Sequence, residues 1–348
     1  MPEIDKLAEV FKHPGVVELM LNPDGTVYVE REDGKLERLD IHPTADDALS
    51  FVRVIVGSPE EFGPRRTYAD LSALDGSRVH VIAPPLARGL TVNVRRRPAR
   101  RPTLEELVGI GALSEGCATF LDYCVAQKMN VLVVGGTSSG KTTLLSALCA
   151  RIPAEERILV LEDTPELALP QPHVLYLRTR LRDAAGSPDV TLRELVINTL
   201  RMRPDRVIVG ETRGPEAADM LQAMNVGQDG LMTTLHANSP REAIARLETL
   251  VLQAGIDMPL KAIKQNVVSA VDFIVELARL ADGSRRVVQV SEITGMEVDT
   301  VSMADLFKLD LRRGAGGLEG RLEPTGTVPR FFDRLRKQGE EPPLELFR

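Results

Sequence analysis

The chain has 348 residues, which is enough for two domains that each bury a core of their own. Its net charge is −7 and only 4% of its residues are aromatic, which argues against a general nucleic-acid binder with a broadly basic surface. No apolar run approaches the roughly 20 residues that span a bilayer, and the acidic start Met1–Asp5 is not a secretory signal, so we expect a cytoplasmic protein. Neither a Cys-x-x-Cys pair nor a histidine cluster is present, so we expect core thiols at Cys117, Cys124 and Cys149.

The first hundred residues predict a small α+β domain, which we place at 1–94. Two alternating runs flank the turn signal Asn22–Gly25, and this arrangement indicates a hairpin. A helical pattern and two further runs with the period of strands follow. In chain order the predicted elements are strands over 17–21 and 26–30, a helix over 44–56, and strands over 78–82 and 90–94.

The second domain is predicted to be α/β. The basic, proline-containing stretch Arg95–Pro102 cannot continue a helix or a central strand, so we place a linker at 95–104. Beyond it, helical patterns alternate with nearly all-apolar strands, which predicts a mostly parallel sheet covered on both faces, over 105–305. We place a C-terminal tail at 306–348, and from about Gly314 we expect short strands and loosely packed turns. The predicted strands of the sheet are 131–134, 157–162, 206–210 and 231–235.

A phosphate-binding loop is the most informative motif. Residues Gly135–Thr142 read GGTSSGKT, directly after an apolar strand and directly before a helix-forming segment. The backbone N–H groups of such a loop and the positive end of the helix favour a polyphosphate. A turn with a fortuitous lysine is the alternative, but it does not explain four residue types at fixed offsets. The predicted nucleotide-binding residues are Gly136, Thr137, Ser138, Ser139, Gly140, Lys141, Thr142 and Thr143, with Lys141 on the β- and γ-phosphates and Thr142 on Mg²⁺.

Carboxylates at strand ends are the next candidates, because the ligand of a parallel sheet lies at the carboxyl edge of its strands. Glu211 follows the apolar run 207–210, while Glu162 and Asp163 follow the run 158–161. Hydrolysis of a γ-phosphate requires a metal and a group that orients or deprotonates water. These carboxylates could bind the metal and act on the water. A carboxylate that ends a strand is also often a cap for the next helix, as the segment from Asp163 to Glu166 would allow.

His236 ends the run 231–235 and is followed by a turn that would present its imidazole at the same edge. A structural role and a catalytic role are both open; as a donor to a γ-phosphate, the histidine would act as a sensor.

Arginines are candidates because a site between domains or chains often receives positive charge from its neighbour. A solvated surface pair is the ordinary alternative for each of them. The run Arg95–Arg97 could equally hold the linker against an acidic face or contact anionic lipid headgroups. The arginines considered are Arg78, Arg95, Arg203 and Arg213.

Taken together, these residues resemble the secretion ATPase superfamily of type II and type IV systems, and most closely the cytoplasmic ATPases of Tad (Flp, type IVc) pilus assembly. The most specific stretch, Arg201–Gly214, is similar to the family's Walker B segment, in which glycine stands where other ATPases have aspartate. The stretch Thr234–Glu242 resembles the family's histidine box, and Glu162, Asp163 and Glu166 resemble its acidic box. At Ser138 the chain departs from the family, which often has glycine there.

The resemblance implies a RecA-like core, preceded by a PAS-like sensor domain and assembled into a hexameric ring. It implies that Lys141 and Thr142 hold Mg-ATP, and that Glu211 orients the attacking water or a water on the metal. Glu162 would be a candidate general base, and His236 would match the histidine-box residue.

The resemblance also concerns the N-terminal domain and the partners. Arg78 and Arg95 resemble arginines that move onto the γ-phosphate when the two domains close. The implied partner is an inner-membrane platform protein of a pilus or secretion machine, with peripheral membrane association and no nucleic acid.

Three other functions share parts of this pattern. A RecA-type nucleic-acid translocase has the same core, but it would need a basic or aromatic-lined channel. A nucleotide-gated scaffold would bind ATP and assemble without significant hydrolysis. A P-loop kinase would need a lid over an acceptor substrate, and the sequence contains nothing that resembles one.

Overall fold

A computed structural model of the chain describes residues 3–13, 15–31, 34–57, 67–97, 100–180, 188–314, 317–337 and 339–348. The chain divides into two compact units. The first is built from the initial hundred residues, together with the described residues of the segments 164–166 and 181–189. The second contains 101–163, 167–180 and 190–348. Part of the predicted linker, residues 98–99, lies outside the described residues.

The N-terminal unit is α+β, as predicted. Its six strands form an antiparallel sheet in the order β3-β2-β1-β6-β5-β4. Alternating apolar residues of the strands and one face of each helix form its core, which includes Leu7, Phe51 and Val79. The elements are α1 (Glu3–Lys12), β1 (Val16–Leu21), β2 (Val27–Arg31), β3 (Leu36–Leu39), α2 (Ala45–Val56), β4 (Tyr68–Ser72), β5 (Arg78–Ile82) and β6 (Thr91–Arg95).

The second unit is an α/β core with one large sheet in the order β15-β14-β13-β12-β7-β11-β10-β8-β9. The six strands from β12 to β9 are parallel, and the three at the other end are antiparallel. Its elements are α3 (Leu104–Gly109), α4 (Glu115–Ala126), β7 (Val131–Gly135), α5 (Lys141–Cys149), β8 (Ile158–Glu162), β9 (Val174–Arg178), α6 (Leu192–Thr199), β10 (Arg206–Thr212), α7 (Glu216–Asn225), β11 (Met232–His236), α8 (Pro240–Gln253), α9 (Leu260–Ala270), β12 (Phe273–Arg279), β13 (Arg285–Glu297), β14 (Thr300–Gly314), β15 (Gly317–Pro324) and α10 (Phe331–Lys337).

Both faces of the parallel half are buried, which is why its strands are apolar throughout. Val131 and Val133 belong to the core on one face of the sheet, and Leu132 and Val134 belong to the core on the other. Because the strands are parallel, their carboxyl ends meet at one edge, where the loop after β7 begins. The prediction of a mostly parallel sheet covered on both sides is confirmed.

The C-terminal segment is packed more tightly than expected. Phe307 and Leu322 lie on β14 and β15, and both are buried in the same core as Phe332, Leu335 and Phe347. The expectation of loosely packed turns was wrong, because aromatic and aliphatic side chains spaced along this polar segment bury against the sheet and α4.

Three further expectations can be compared with the structure. The cysteines Cys117, Cys124 and Cys149 are free and fully buried, as expected of core thiols, and burial raises the pKa of each. Of the predicted linker, Arg95 still belongs to β6 and Leu104 already begins α3. Among the described residues, no helix has both the length and the apolar character needed to cross a membrane.

Candidate nucleotide site

The loop between β7 and α5 adopts the strained backbone that a phosphate-binding loop requires. Ser138 has φ 57° and Gly140 has φ 101°, both in the left-handed region. This conformation costs a residue with a side chain more than it costs glycine, which gives a physical reason for the glycine that the family often has at the position of Ser138.

The N-terminus of α5 is left open toward this loop. Gly140 caps the helix without a side-chain hydrogen bond, and the described first turn of α5 contains no acidic residue. By contrast, a threonine or serine hydroxyl caps each of α2, α3, α4, α6 and α8. The backbone N–H groups at the start of α5 are therefore available to an external anion.

Lys141 is the first residue of α5, and its ammonium group is turned back into the loop. It donates hydrogen bonds to the carbonyl oxygens of Gly135 at 3.0 Å and Gly136 at 2.8 Å. The side chain is only 7% exposed. The lysine is thus held at the loop by backbone oxygens, within reach of any phosphate that the loop would hold.

His236 connects this lysine to β10. It pairs in register with Gly135 across β11 and β7, so strand pairing places it beside the loop. Its Nδ1 lies 3.4 Å from the Lys141 ammonium, and its Nε2 lies 2.9 Å from Oε1 of Glu211. Since an ammonium group only donates, Nδ1 accepts from Lys141, and Nε2 is in close polar contact with the Glu211 carboxylate.

The imidazole is favoured in its neutral form. Partial burial lowers the pKa of His236 below its ordinary value, and the positive charge of Lys141 lowers it further. Glu211 opposes this shift, while Arg213 and Arg246 add to it. A neutral ring is the form whose Nδ1 can accept a hydrogen bond from Lys141.

Glu211 lies inside β10, not after the end of the strand as predicted, because β10 continues to Thr212. Its second carboxylate oxygen pairs with the guanidinium of Arg213. The backbone N–H groups of Arg213 and Gly214 donate to Glu216, which fixes the turn between β10 and α7. Arg213 is therefore a member of the site.

Glu162 ends β8 and is buried at the same edge of the sheet, at 6% exposure. Its Oε1 accepts the backbone N–H of Leu167 at 2.9 Å. Gly210 on the neighbouring strand leaves room for it, because a Cβ built on Gly210 would lie only 3.0 Å from the Glu162 Cγ. Asp163 follows and is exposed. Glu166 is grouped with the N-terminal unit.

The other predicted loop residues lie on the same turn. Thr137 and Ser138 are exposed, whereas the Ser139 side chain is buried. Thr142 and Thr143 are half-buried in the first turn of α5. The nucleotide contacts predicted for these residues remain predictions.

Two of the four arginines considered lie in the N-terminal unit, as neighbours of each other. Arg78 on β5 and Arg95 on β6 are directly opposite in the antiparallel register, so both side chains lie on one face of the sheet. Arg78 also pairs with Asp70 at 3.3 Å. Asp70 therefore places a negative charge beside these two like charges.

Arg203 does not belong to the site. It is exposed in the turn that precedes β10, at the amino end of that strand, whereas the loop lies at the carboxyl edge. Of two other arginines, Arg101 donates to Thr143 in the first turn of α5 at 3.4 Å, and the aliphatic part of Arg285 lies near Gly140. No sequence pattern pointed to these two arginines, since Arg101 lies in the predicted linker and Arg285 on an antiparallel strand that was not predicted.

Comparison with known proteins identifies the family of this chain. The family of type II/IV secretion system proteins matches this chain over residues 72–308. The chain belongs to the type II/IV secretion system protein family. The match includes the phosphate loop, Glu162, Glu211 and His236, and its N-terminal part reaches β5 with Arg78. Membership in the secretion ATPase superfamily, inferred above from the motifs, is thereby confirmed.

Relatives of this secretion-family chain are named for related machines. A Mycobacterium tuberculosis protein named for conjugal transfer is 39% identical over 222 residues, which are 63% of this chain and 62% of the relative. The chain thus matches less than two thirds of that relative's length. The conjugal transfer protein TrbB of Rhizobium radiobacter is 33% identical over 301 residues, 84% of this chain and 88% of the relative.

The fold has counterparts among solved structures. The pilus retraction motor PilT with bound ADP matches with a TM-score of 0.60 and 16% identity, over 97% of this chain and 87% of that chain. At this identity the likeness concerns the fold alone, and it confirms the RecA-like core of this secretion-family protein.

Proposed function

We propose that this protein is an ATPase that hydrolyses Mg-ATP to drive a pilus-assembly or secretion machine. The observation that carries the proposal is the series of close polar contacts from Lys141 through His236 to Glu211. It connects the lysine of the phosphate loop to the carboxylate of the neighbouring strand, so occupation of one is coupled to the position of the other.

The chemistry of the residues fits a nucleotide and its metal. The open N-terminus of α5 and the loop N–H groups suit the polyphosphate, and Lys141 would neutralise the β- and γ-phosphates. Thr142 and Glu211 would hold Mg²⁺, the latter through water. Magnesium is usually held by one or two carboxylates together with substrate phosphates and water, so phosphate oxygens would complete its ligands. Bound magnesium would neutralise charge that develops on the phosphates.

Two carboxylates are placed for the hydrolytic step. Glu211, held by His236 and Arg213, is suited to orient the attacking water. Glu162, buried and fixed by the N–H of Leu167, is suited to accept the proton of that water. When a γ-phosphate is present, His236 would donate to it and release Glu211, and its loss would restore the contact.

The machine and the assembly are also part of the proposal. We assign the protein to Tad (Flp) pilus assembly because of the motifs above, and we expect a homohexamer at an inner-membrane platform protein. Family membership and the relatives named for conjugal transfer support a motor of this general kind. We expect a cytoplasmic protein, associated peripherally with the inner membrane, that binds no nucleic acid, given the charge of −7.

Steady-state phosphate release tests the site. We expect Lys141→Ala and Glu211→Gln each to reduce magnesium-dependent turnover at least about a hundredfold, because each removes charge or orientation at the reacting phosphate. Glu297→Gln, at an exposed position of β13, is the matched control and should retain full turnover. Undiminished turnover in both site variants would overturn the assignment of Lys141 and Glu211 to the site. Wild-type turnover that depends on added DNA or RNA would overturn the proposed function.

The pair of arginines in the N-terminal unit has its own test. Arg78→Ala should lower the hydrolysis rate more than it lowers nucleotide affinity, since the arginine would act on the γ-phosphate after domain closure. Arg31→Ala, in the same unit and paired with Glu37, is the control. Equal losses of rate and affinity in Arg78→Ala would contradict the role.

Native mass measurement tests the assembly. A six-subunit species that is favoured by a non-hydrolysable ATP analogue would support the ring, whereas a monomer under both conditions would exclude it. Bound-nucleotide analysis after long incubation separates an enzyme from a scaffold, because a scaffold would retain unhydrolysed ATP.

A further inference from the structure

Strand β10 contains an extra residue beside the nucleotide site. Val209 of β10 lies opposite Thr233 of β11, and Thr212 lies opposite Leu235. Three steps along β10 therefore match two steps along β11, so the pairing of the two strands shifts at this point. We call the segment Gly210–Glu211 the bulge of β10. Bulges occur often beside active sites, where they redirect a side chain.

The extra residue changes which side chain of β10 enters the core. Val209 is buried in the core that contains Met220 of α7. Alternate residues of a regular strand share a face, so Glu211 would be the next side chain to enter this core. Thr212 takes that place instead, because it is 1% exposed and its hydroxyl donates to the sulfur of Met220 at 3.4 Å. The carboxylate of Glu211 is thereby directed away from the core, to the place where it meets His236.

Thr234 contacts the bulge of β10 from the neighbouring strand. Its hydroxyl donates to the carbonyl oxygen of Gly210 at 2.8 Å, and Thr234 is only 2% exposed. On the other face of the sheet, the hydroxyls of Thr212 and Thr233 lie 2.8 Å apart. A side-chain hydrogen bond therefore connects β11 directly to the residue that precedes Glu211. Removal of a buried hydroxyl would leave the carbonyl of Gly210 without this donor.

We propose that Thr234 is a positioning residue for Glu211, because its bond to the carbonyl of Gly210 fixes the bulge that directs the carboxylate toward His236. The consequence for hydrolysis rests on the proposed function and extends it, since Thr234 acts on the attacking water only through Glu211. When the bulge relaxes, Glu211 moves while the phosphate loop keeps its contacts. The rate of hydrolysis and the affinity for nucleotide should therefore respond differently to a change at Thr234.

Steady-state kinetics of variants at position 234 test this consequence. Thr234→Val keeps the shape of the side chain but removes the hydroxyl, and it should lower kcat about tenfold or more, because a small displacement of a group that acts on the reaction has a large effect on rate. Thr234→Ala, which also lacks the hydroxyl, should behave alike. The affinity of both variants for a non-hydrolysable ATP analogue should equal that of the wild type. Thr234→Ser retains the hydroxyl and should restore most of the wild-type kcat.

Thr199→Val is the matched control. Thr199 is 1% exposed, and its hydroxyl also donates to a backbone carbonyl, that of Val196, at 2.6 Å. Thr199 ends α6, which leads to the amino end of β10, whereas the phosphate loop lies at the carboxyl edge. This variant should lose stability as Thr234→Val does, because each leaves a carbonyl without its hydroxyl donor, but it should keep the wild-type kcat. Thermal unfolding compares the losses of stability.

The imidazole of His236 reports the position of Glu211 without any turnover. Glu211 raises the pKa of His236, so a carboxylate that moves away should leave this pKa lower. Thr234→Val should therefore lower the pKa of His236, in the same direction as Glu211→Gln, whereas Thr199→Val should leave it unchanged. Titration of the ring Cε1–H resonance by NMR measures the shift.

The outcomes separate the positioning role from the proposed function. An unchanged pKa of His236 in Thr234→Val overturns the role. Equal losses of kcat in Thr234→Val and Thr199→Val also overturn it, because the loss would then follow from stability alone. If the folded wild type hydrolyses no ATP while Thr234→Val still lowers the pKa of His236, the proposed function fails and the positioning of Glu211 by Thr234 stands.

Discussion

Glu162 fills the space in which a side chain at position 210 would stand. A Cβ on Gly210 would lie 3.0 Å from the Glu162 Cγ and 3.5 Å from its Oε1. Glu162 is buried and accepts a hydrogen bond from the N–H of Leu167. It can occupy this position because residue 210 has no side chain. The absence of a side chain at Gly210 is thus a structural condition for a buried glutamate on the adjacent strand.

Gly210→Ala should displace this glutamate. Overpacking of this kind typically costs about 1–3 kcal/mol in the free energy of unfolding. A displacement of a few tenths of an ångström at a proposed general base should lower the hydrolysis rate about tenfold or more. Urea denaturation and steady-state phosphate release measure the two effects.

Gly116→Ala is the control for a methyl group without a clash. Its Cβ would meet no heavy atom of the described residues within 4 Å, and Gly116 lies in α4. This variant should gain up to about 1 kcal/mol in stability, because alanine favours the helix over glycine. If Gly210→Ala behaves like Gly116→Ala in both assays, the constraint between the two strands does not exist.

The pKa of His236 should respond in opposite directions to its two neighbours. Lys141 lowers this pKa and Glu211 raises it. Lys141→Ala should therefore raise the pKa of His236, and Glu211→Gln should lower it further. Titration of the imidazole Cε1–H resonance by NMR measures both shifts. The chain has five histidines, so the spectrum of His236→Ala identifies the signal.

The lowered pKa of His236 also predicts how its protonation affects the stability of the fold. Because the pKa of His236 is lowered in the folded protein, the unfolded chain binds the proton more readily. The contribution of this histidine to stability is present above the unfolded value near 6.5 and is lost as the pH falls through the folded pKa. If the pKa of His236 shifts in the same direction in Lys141→Ala and Glu211→Gln, then at least one of these two charges does not act on the imidazole as described.

The carboxyl edge of the sheet was predictable from sequence because local patterns determine it. Apolar runs identified β7, β8, β10 and β11, and in a parallel sheet the residues that follow such runs meet at one edge. The predicted end of the strand before Glu211 lies two residues too early, because β10 continues to Thr212. The polar side chain of Glu211 interrupts the apolar run, although the strand does not end there.

The antiparallel half was not predictable in the same way. The pairing of β13 with β14 contains register shifts at Val290–Ser291 and at Ile293–Gly295, and these break the alternation from which strands are recognised. The approach of Arg285 to Gly140 depends on this half. The two residues are far apart in the chain, and no local pattern connects them.

Glu276 provides a pH-dependent prediction. Burial, and then Asp305 and Glu242, raise its pKa to about 7. A raised pKa means that the folded state binds the proton more readily, so stability should fall as the pH rises from about 4.5 toward 7. Glu276→Gln should therefore be more stable than the wild type at pH 8, by about 1 kcal/mol after discounting for partial exposure.

Urea denaturation at pH 5 and pH 8 tests this prediction, with Glu297→Gln as the exposed control. The difference between Glu276→Gln and the wild type should be clear at pH 8 and small at pH 5. An equal difference at both values would mean that the charge of Glu276 is not the cause.

Arg206 and Gly230 form a second pair in which glycine makes room for a charged residue. Arg206 is fully buried, donates to Glu156 at 2.6 Å and to the carbonyl of Val125 at 2.7 Å, and lies against Gly230. A Cβ on Gly230 would lie 2.9 Å from the Arg206 Cδ and would contact its guanidinium. Gly230→Ala should break this buried ion pair and destabilise the fold by about 3–5 kcal/mol.

Gly227→Ala is the control that distinguishes the clash with Arg206 from the strain of a left-handed backbone. Gly227 has φ 97° and Gly230 has φ 75°, so alanine is strained at both positions. Only Gly230 is crowded, because a Cβ on Gly227 would meet no heavy atom of the described residues within 4 Å. Gly227→Ala should therefore cost about 1–2 kcal/mol, the penalty for a left-handed backbone. If Gly230→Ala and Gly227→Ala lose the same free energy of unfolding in urea, the effect at Gly230 comes from its backbone alone. The buried pair of Arg206 and Glu156 would then tolerate the methyl group.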